Sequence, residues 1–295
     1  MEKLLGYLRL MRPANVVTSV ADVLAGMAIS GYFLLNGANV QPLPVLLLCI
    51  ATIGLYSGGI IMNDVFDAEL DAKERPERPI PSGLISKQAA TLFGGTAFFI
   101  GLVAAGLYSP SSQYLAAAIM ISCLVYDKFL KHSALFGPIN MGLCRGLNLL
   151  LGITIIPSNV KEWWFLAIIP IIYIAAITMI SRGEVHGGKK NTLYFAMVLY
   201  LTVIISVLGF AYVNNNLLIS LAFLALFAFM IFTPLFNAAK NPIGPNIGKA
   251  VKAGVIALIL LNAAWASAFG SWHVALIILI LLPLSMWLSK VFAVT

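Results

Sequence analysis

NDVFDAELDAKERPERPIPSG, from Asn63 to Gly83, is the one dense run of charge in a chain of 295 residues that is 61% hydrophobic and 10% charged. Asp64, Asp67, Glu69 and Asp71 lie close together, Glu74, Arg75, Glu77 and Arg78 follow, and Pro76, Pro79 and Pro81 close the run. The spacing of three and four predicts that Asp64, Asp67 and Asp71 share one helical face. Like charges on one face repel unless a cation neutralises them. An ordinary solvated loop between two apolar segments is the plainer reading, and a loop has no need for three aspartates on one face.

Outside this stretch the chain is a series of apolar runs of about 20 residues, long enough to cross a hydrocarbon core of about 30 Å. The mean hydropathy is +0.97. The runs are continuous and do not alternate, which argues for helices and against a barrel. The fold class expected is all-α, a polytopic membrane helical bundle that forms a single transmembrane domain. Spans are expected near 14–35, 43–62, 88–108, 112–130, 134–156, 163–181, 192–213, 216–236, 247–269 and 272–293, a nine-helix core with a tenth, C-terminal helix.

Charge distributes by side. Of the 18 Lys and Arg, all fall in alternate loops on one side except Lys161 on the other and Arg145 inside a span. The net charge of +7 is therefore a topology signal and no nucleic-acid footprint. It predicts that both termini and the Asp-rich loop are cytoplasmic, in a plasma membrane or an organellar inner or thylakoid membrane. Cys49, Cys123 and Cys144 are odd in number, without metal spacing, and read as small core residues. Gly58-Gly59 and Gly94-Gly95 read as close helix contacts. Oxygen-only carboxylates such as Asp64, Asp67 and Asp71 suit Mg²⁺, which is usually held together with substrate phosphates.

Asn63 and these aspartates, read N-D-x-x-D-x-x-x-D at the end of a span, resemble the first motif of the UbiA superfamily of intramembrane prenyltransferases. Arg75, Arg78, Pro79, Pro81, Ser82 and Gly83 continue that resemblance, and Arg12-Pro13-Ala14-Asn15 resembles the family's N-terminal signature. The resemblance implies a nine-helix bundle, an Mg²⁺ cofactor, a prenyl diphosphate donor and a lipophilic or aromatic acceptor. It implies that Asp64, Asp67 and Asp71 are catalytic and metal-binding, and that Asn63, Arg75 and Arg78 bind diphosphate. Tyr126, Asp127 and Lys128 resemble positions that the family places near the diphosphate. SRGEV-x-GG after span six and LCRGLNLLLG from Leu143 to Gly152 resemble a divergent branch, EboC-like, tied to secondary metabolites.

The loop after span six departs from the family. Ser181-Arg182 stands in place of an Asp-Arg pair, and Ile174 and Ile177 stand where polar groups are usual. Glu184 is left as the carboxylate and as a fourth metal ligand. With His186, Arg182, Lys189 and Lys190 it forms a more basic, less metal-rich diphosphate clamp, unless the loop is a solvated turn. Arg145 and Asn148, one turn apart, and Asp22 are the buried polar groups. A charge at that depth faces a partner or a cavity. Either Asp22 and Arg145 pair to fix helix packing, or Arg145 is a catalytic residue that binds an acceptor or diphosphate oxygen. The alternative to an enzyme is a non-catalytic carrier of a lipid or metabolite precursor that keeps the fold and the first motif.

Overall fold

A computed structural model describes residues 2–184 and 187–292. Ten long helices follow one another among the described residues: α2 (Pro13–Ile29), α3 (Pro42–Phe66), α5 (Lys87–Tyr108), α6 (Pro110–Val125), α7 (Phe136–Ile153), α8 (Ile168–Ser181), α9 (Lys190–Val213), α10 (Leu217–Lys240), α11 (Gly244–Ala268) and α12 (Trp272–Val291). Two shorter helices, α1 (Glu2–Met11) and α4 (Ala68–Glu74), flank the Asp-rich end. The order and number match the spans expected from the apolar runs.

Among the described residues eight segments are long and apolar enough to cross a membrane, and the chain is an integral multi-pass membrane protein. The other two long helices differ for physical reasons. α2 has only 17 residues, about 26 Å at 1.5 Å per residue. α7 carries Arg145 and Asn148 among its apolar residues. Both helices are mostly buried and pack against each other. With α11, whose apolar window is 72% buried, they form the interior of the bundle.

Small residues let these helices meet. A Cβ on Gly26 would lie 2.2 Å from the Leu149 carbonyl oxygen, and one on Gly152 would lie 2.2 Å from that of Val23. That close crossing brings Asp22 on α2 beside Arg145 on α7. Of the four glycines read as helix contacts, Gly58, Gly59 and Gly94 are close to neighbouring helices, while Gly95 faces open space.

The helical face expected for the three aspartates is interrupted. α3 ends at Phe66, Asp67 takes φ −86° and ψ 0°, and α4 starts at Ala68. Hydrogen bonds from Asp67 N–H to Asn63 and from Asp71 N–H to Asp67 carry the chain across the joint. The joint separates Asp67 from Asp64 and Asp71.

Candidate active-site cavity

One cavity of about 380 Å³ is bounded by α2, α3, α6, α7, α8 and α11. The C-terminal ends of α3, α6 and α8, the N-terminal end of α2 and the loop after α4 bring Arg12, Asn63, Asp67, Arg75, Arg78, Asp127, Lys131 and Glu184 to one end of it. Deeper in the bundle the walls are Leu55, Ile119, Met141, Ile174, Ile177, Val251, Val255 and Leu258. The site is charged at one end, and beyond it the wall is mostly apolar, with Arg145 and Asn148 of α7 and Tyr56 of α3 as polar exceptions.

Each aspartate of the first motif meets a cation. Arg12 Nη2 lies 2.6 Å from Asp64 Oδ1. Arg78 Nη1 lies 2.7 Å from Asp71 Oδ2 and 3.4 Å from Asp64 Oδ1. Asp67 pairs with Lys131. Asp64 and Asp71 are buried behind Arg78, whereas Asp67 lines the cavity. Arg12 holds a left-handed backbone, φ 47°, at the joint between α1 and α2. That conformation costs an ordinary residue about 1–2 kcal/mol, and the ion pair to Asp64 holds it. Burial pushes the Lys131 ammonium down to about 8, against the opposing pull of Asp64.

The last turn of α6 widens into a π-helical turn, Tyr126–Leu130. Tyr126, Asp127 and Lys131 line the cavity from it. Asn63 Nδ2 donates to Asp127 Oδ1 at 2.7 Å. Lys128 lies outside the cavity, exposed, 5.3 Å from the Phe129 ring centroid.

From the opposite side come Thr178, Ser181 and Glu184. The Asp-rich loop and the loop after α8 therefore face one mouth. Burial raises the Glu184 carboxyl above its ordinary value, with Arg75 opposing, and Glu184 Oε1 is buried without a hydrogen-bond partner. Arg182 is exposed and donates to the Ser133 carbonyl at 2.6 Å. Lys189 and Lys190 are exposed and lie outside the cavity lining. His186 lies outside the described residues.

Arg145 and Asn148 reach the cavity from α7. Arg145 does pair with Asp22, at 2.6 Å, and also donates to Thr18 Oγ1 at 2.6 Å and to Tyr56 Oη at 2.8 Å. Asp22 further accepts from Asn148 and from Asn262. Both readings of Arg145 left open by the sequence are thus partly present: it is paired, and it faces the cavity. Cys123 and Cys144 are not plain core residues. Both line the cavity, with their sulfurs 3.8 Å apart.

Sequence reasoning gave no site role to Arg12, Tyr56, Asn15 or Lys131, all of which line the cavity. Arg12 and Lys131 had a signal: each is a charge at the end of an apolar run. Their counting as topology markers hid it.

The arrangement defines an intramembrane helical bundle with an amphipathic, charge-headed cavity. The UbiA prenyltransferase family model matches residues 24–232, and the chain belongs to that family. It is 32% identical over 239 residues to the digeranylgeranylglyceryl phosphate synthase of Methanothrix thermoacetophila, which covers 74% of this chain and 85% of that protein. Other archaeal synthases of the same name align over 51% and 60% of their own length. A solved digeranylgeranylglyceryl phosphate synthase shares the fold with a TM-score of 0.66 at 24% identity, over 92% of this chain and 100% of that one. A UbiA homologue from Archaeoglobus fulgidus bound to GPP and Mg²⁺ shares it with a TM-score of 0.61 at 15% identity, over 91% of this chain and 99% of that one. The EboC-like likeness is not carried by these relatives.

Proposed function

We propose that the chain is an intramembrane prenyltransferase that moves a prenyl group from a prenyl diphosphate to a lipophilic acceptor, with Mg²⁺ as its metal. The observation that carries this reading is the polarity gradient of the cavity, with carboxylates and cations at one end and Ile, Val and Leu walls beyond. A prenyl diphosphate has the same gradient. Each buried CH₂ of its tail contributes about 0.8 kcal/mol. Arg75, Arg78 and Lys131 offer charge-assisted hydrogen bonds to its head.

The donor set fits Mg²⁺. Asp67 and Glu184 line the cavity and offer oxygen only, and the unpartnered Glu184 Oε1 is an acceptor that a hydrated cation would satisfy. Asp64 and Asp71, paired with Arg12 and Arg78 behind that lining, would reach the ion only on leaving those arginines. Among the described residues no three acidic, His or Cys side chains converge on one point. These carboxylates would therefore hold the ion together with diphosphate oxygens, as is usual for Mg²⁺. When bound, Mg²⁺ supplies charge neutralisation for the leaving diphosphate. Arg75, Arg78 and Lys131 orient the head, so that the reacting carbon faces down the cavity. The apolar walls exclude water from that carbon.

The name of the archaeal relatives supports a hydroxyl-bearing lipid phosphate as the first acceptor to try. One observation favours the carrier instead: Ile174, Ile177 and Ser181 form the wall where a second set of carboxylates would add metal ligands. Purified protein incubated with radiolabelled geranylgeranyl diphosphate and Mg²⁺, with either geranylgeranylglyceryl phosphate or 4-hydroxybenzoate, separates the two. An enzyme gives labelled product with at least one acceptor and none after chelation. Donor that binds and is recovered unchanged with every acceptor makes the protein a carrier.

A further inference from the structure

We infer that Asp127 takes the proton from the acceptor, and that the acceptor reacts through a hydroxyl group. This rests on the prenyltransferase reading above. Asp127 is only 9% exposed and lies on the π-helical turn Tyr126–Leu130, which the Lys131 N–H closes onto the Tyr126 carbonyl at 2.9 Å. A π-turn fits an extra residue into a helix end, and such insertions are frequent at functional sites. Here it presents Tyr126, Asp127 and Lys131 to the cavity and leaves Lys128 and Phe129 outside.

The two oxygens of Asp127 are used differently. Oδ1 accepts from Asn63 Nδ2 at 2.7 Å. Oδ2 is buried and has no hydrogen-bond partner. A buried carboxylate oxygen left without a donor is costly, and it calls for a ligand that supplies one. A hydroxyl at the reacting end of an acceptor supplies that donor.

The other acidic groups at this end are committed. Asp64, Asp67 and Asp71 each pair with a cation, so their oxygens are already engaged. Glu184 has a spare oxygen too, but it lies on the opposite loop under the influence of Arg75. Asp127 alone in this set has a neutral amide as its hydrogen-bonded partner.

The step balances. The bond from C1 of the prenyl group to the diphosphate oxygen breaks, and its electron pair leaves with the diphosphate. A lone pair of the acceptor hydroxyl oxygen bonds to C1. The hydroxyl proton passes to Asp127 Oδ2 and from there to water at the mouth. The products are an ether and diphosphate. Asn63 is a positioning residue, because its amide holds Oδ1 and so fixes the carboxylate.

The test uses Asp127→Asn and Asp127→Glu in the full-length protein, with geranylgeranyl diphosphate and geranylgeranylglyceryl phosphate as substrates. Calorimetric donor binding with Mg²⁺ is measured beside kcat and the acceptor KM. The Asn variant is expected to lose about 100-fold or more in kcat. Its donor Kd should stay within about twofold of the parent, since the head is held by other residues. The Glu variant, which restores a base, should regain part of kcat. Unchanged kcat in the Asn variant overturns the assignment. So does recovery of its kcat by added Mg²⁺, which makes Asp127 a cation ligand. Loss of donor binding in both variants makes it structural and also overturns it. A parent that binds donor but never transfers it fails the prenyltransferase reading, and this inference falls with it. A parent that transfers, beside an equally active Asn variant, sinks this inference alone.

Discussion

Arg145 on α7 and Asp22 on α2 form a buried ion pair, 2.6 Å apart, beneath the charged end of the cavity. Around it, Tyr56 from α3 and Asn262 from α11 complete the hydrogen bonding, so one pair ties four helices together. A buried pair contributes little net stability when intact, but removing one partner strands the other charge, at a cost of about 3–5 kcal/mol. Arg145→Ala should therefore lower the melting temperature in detergent sharply. Adding Asp22→Asn to that variant should restore part of the loss. A single Arg145→Ala variant as stable as the parent would mean that the pair fixes nothing.

The crossing that allows this pair makes a second prediction. A side chain at Gly152 runs into backbone at 2.2 Å, and backbone cannot swing aside as a side chain can. Gly152→Val should cost at least about 1–3 kcal/mol, the usual range for overpacking, and should reduce folded yield. Gly95→Ala, where nothing lies within 4 Å, should leave melting unchanged. Equal stability of the two variants would refute the packing account.

The loop after α8 separates near from distant charge. Glu184 lines the cavity, while Lys189 and Lys190 are exposed beyond it. Glu184→Gln should raise the Mg²⁺ concentration needed for donor binding. The double change of Lys189 and Lys190 to Gln should weaken donor binding by less than about 1 kcal/mol, and only at low salt, as expected of screened surface charge. Calorimetry across Mg²⁺ and salt series measures both. A salt-independent loss in the lysine variant would place those side chains on the diphosphate itself.

We propose from the loop charges that the Asp-rich end faces the cytoplasm. Single cysteines placed at Lys131 and Lys249, in an otherwise cysteine-free background, should react with an impermeant thiol reagent from the cytoplasmic face. One at Asn215 should react from the other. Labelling of positions 131 and 215 from a common face would contradict the topology.

The spans were legible because lipid leaves the backbone few choices, and apolar runs of the right length announce themselves. The Asp-rich stretch was legible for the opposite reason, as charge concentrated where the rest of the chain has little. The break at Asp67 was not legible. Its neighbours, AELDAKE, are good helix formers, and no Gly or Pro marks the joint. The placement of Asp127 and Lys131 depends on a π-turn, which local propensity does not encode. The pairing of Asp22 with Arg145 was open in the sequence because two charges in separate spans can meet each other or a cavity, and only helix packing decides. Here packing permits both for Arg145.

The most direct measurement is an experimental structure of the protein with Mg²⁺ and geranylgeranyl thiodiphosphate, a donor analogue that reacts slowly. The thiodiphosphate should lie among Asp67, Arg75, Arg78 and Lys131, with the prenyl tail running along Ile174, Ile177, Val251 and Leu258. A head group bound elsewhere, or a tail lying outside this cavity, would contradict the proposal that the cavity is the prenyl-transfer site.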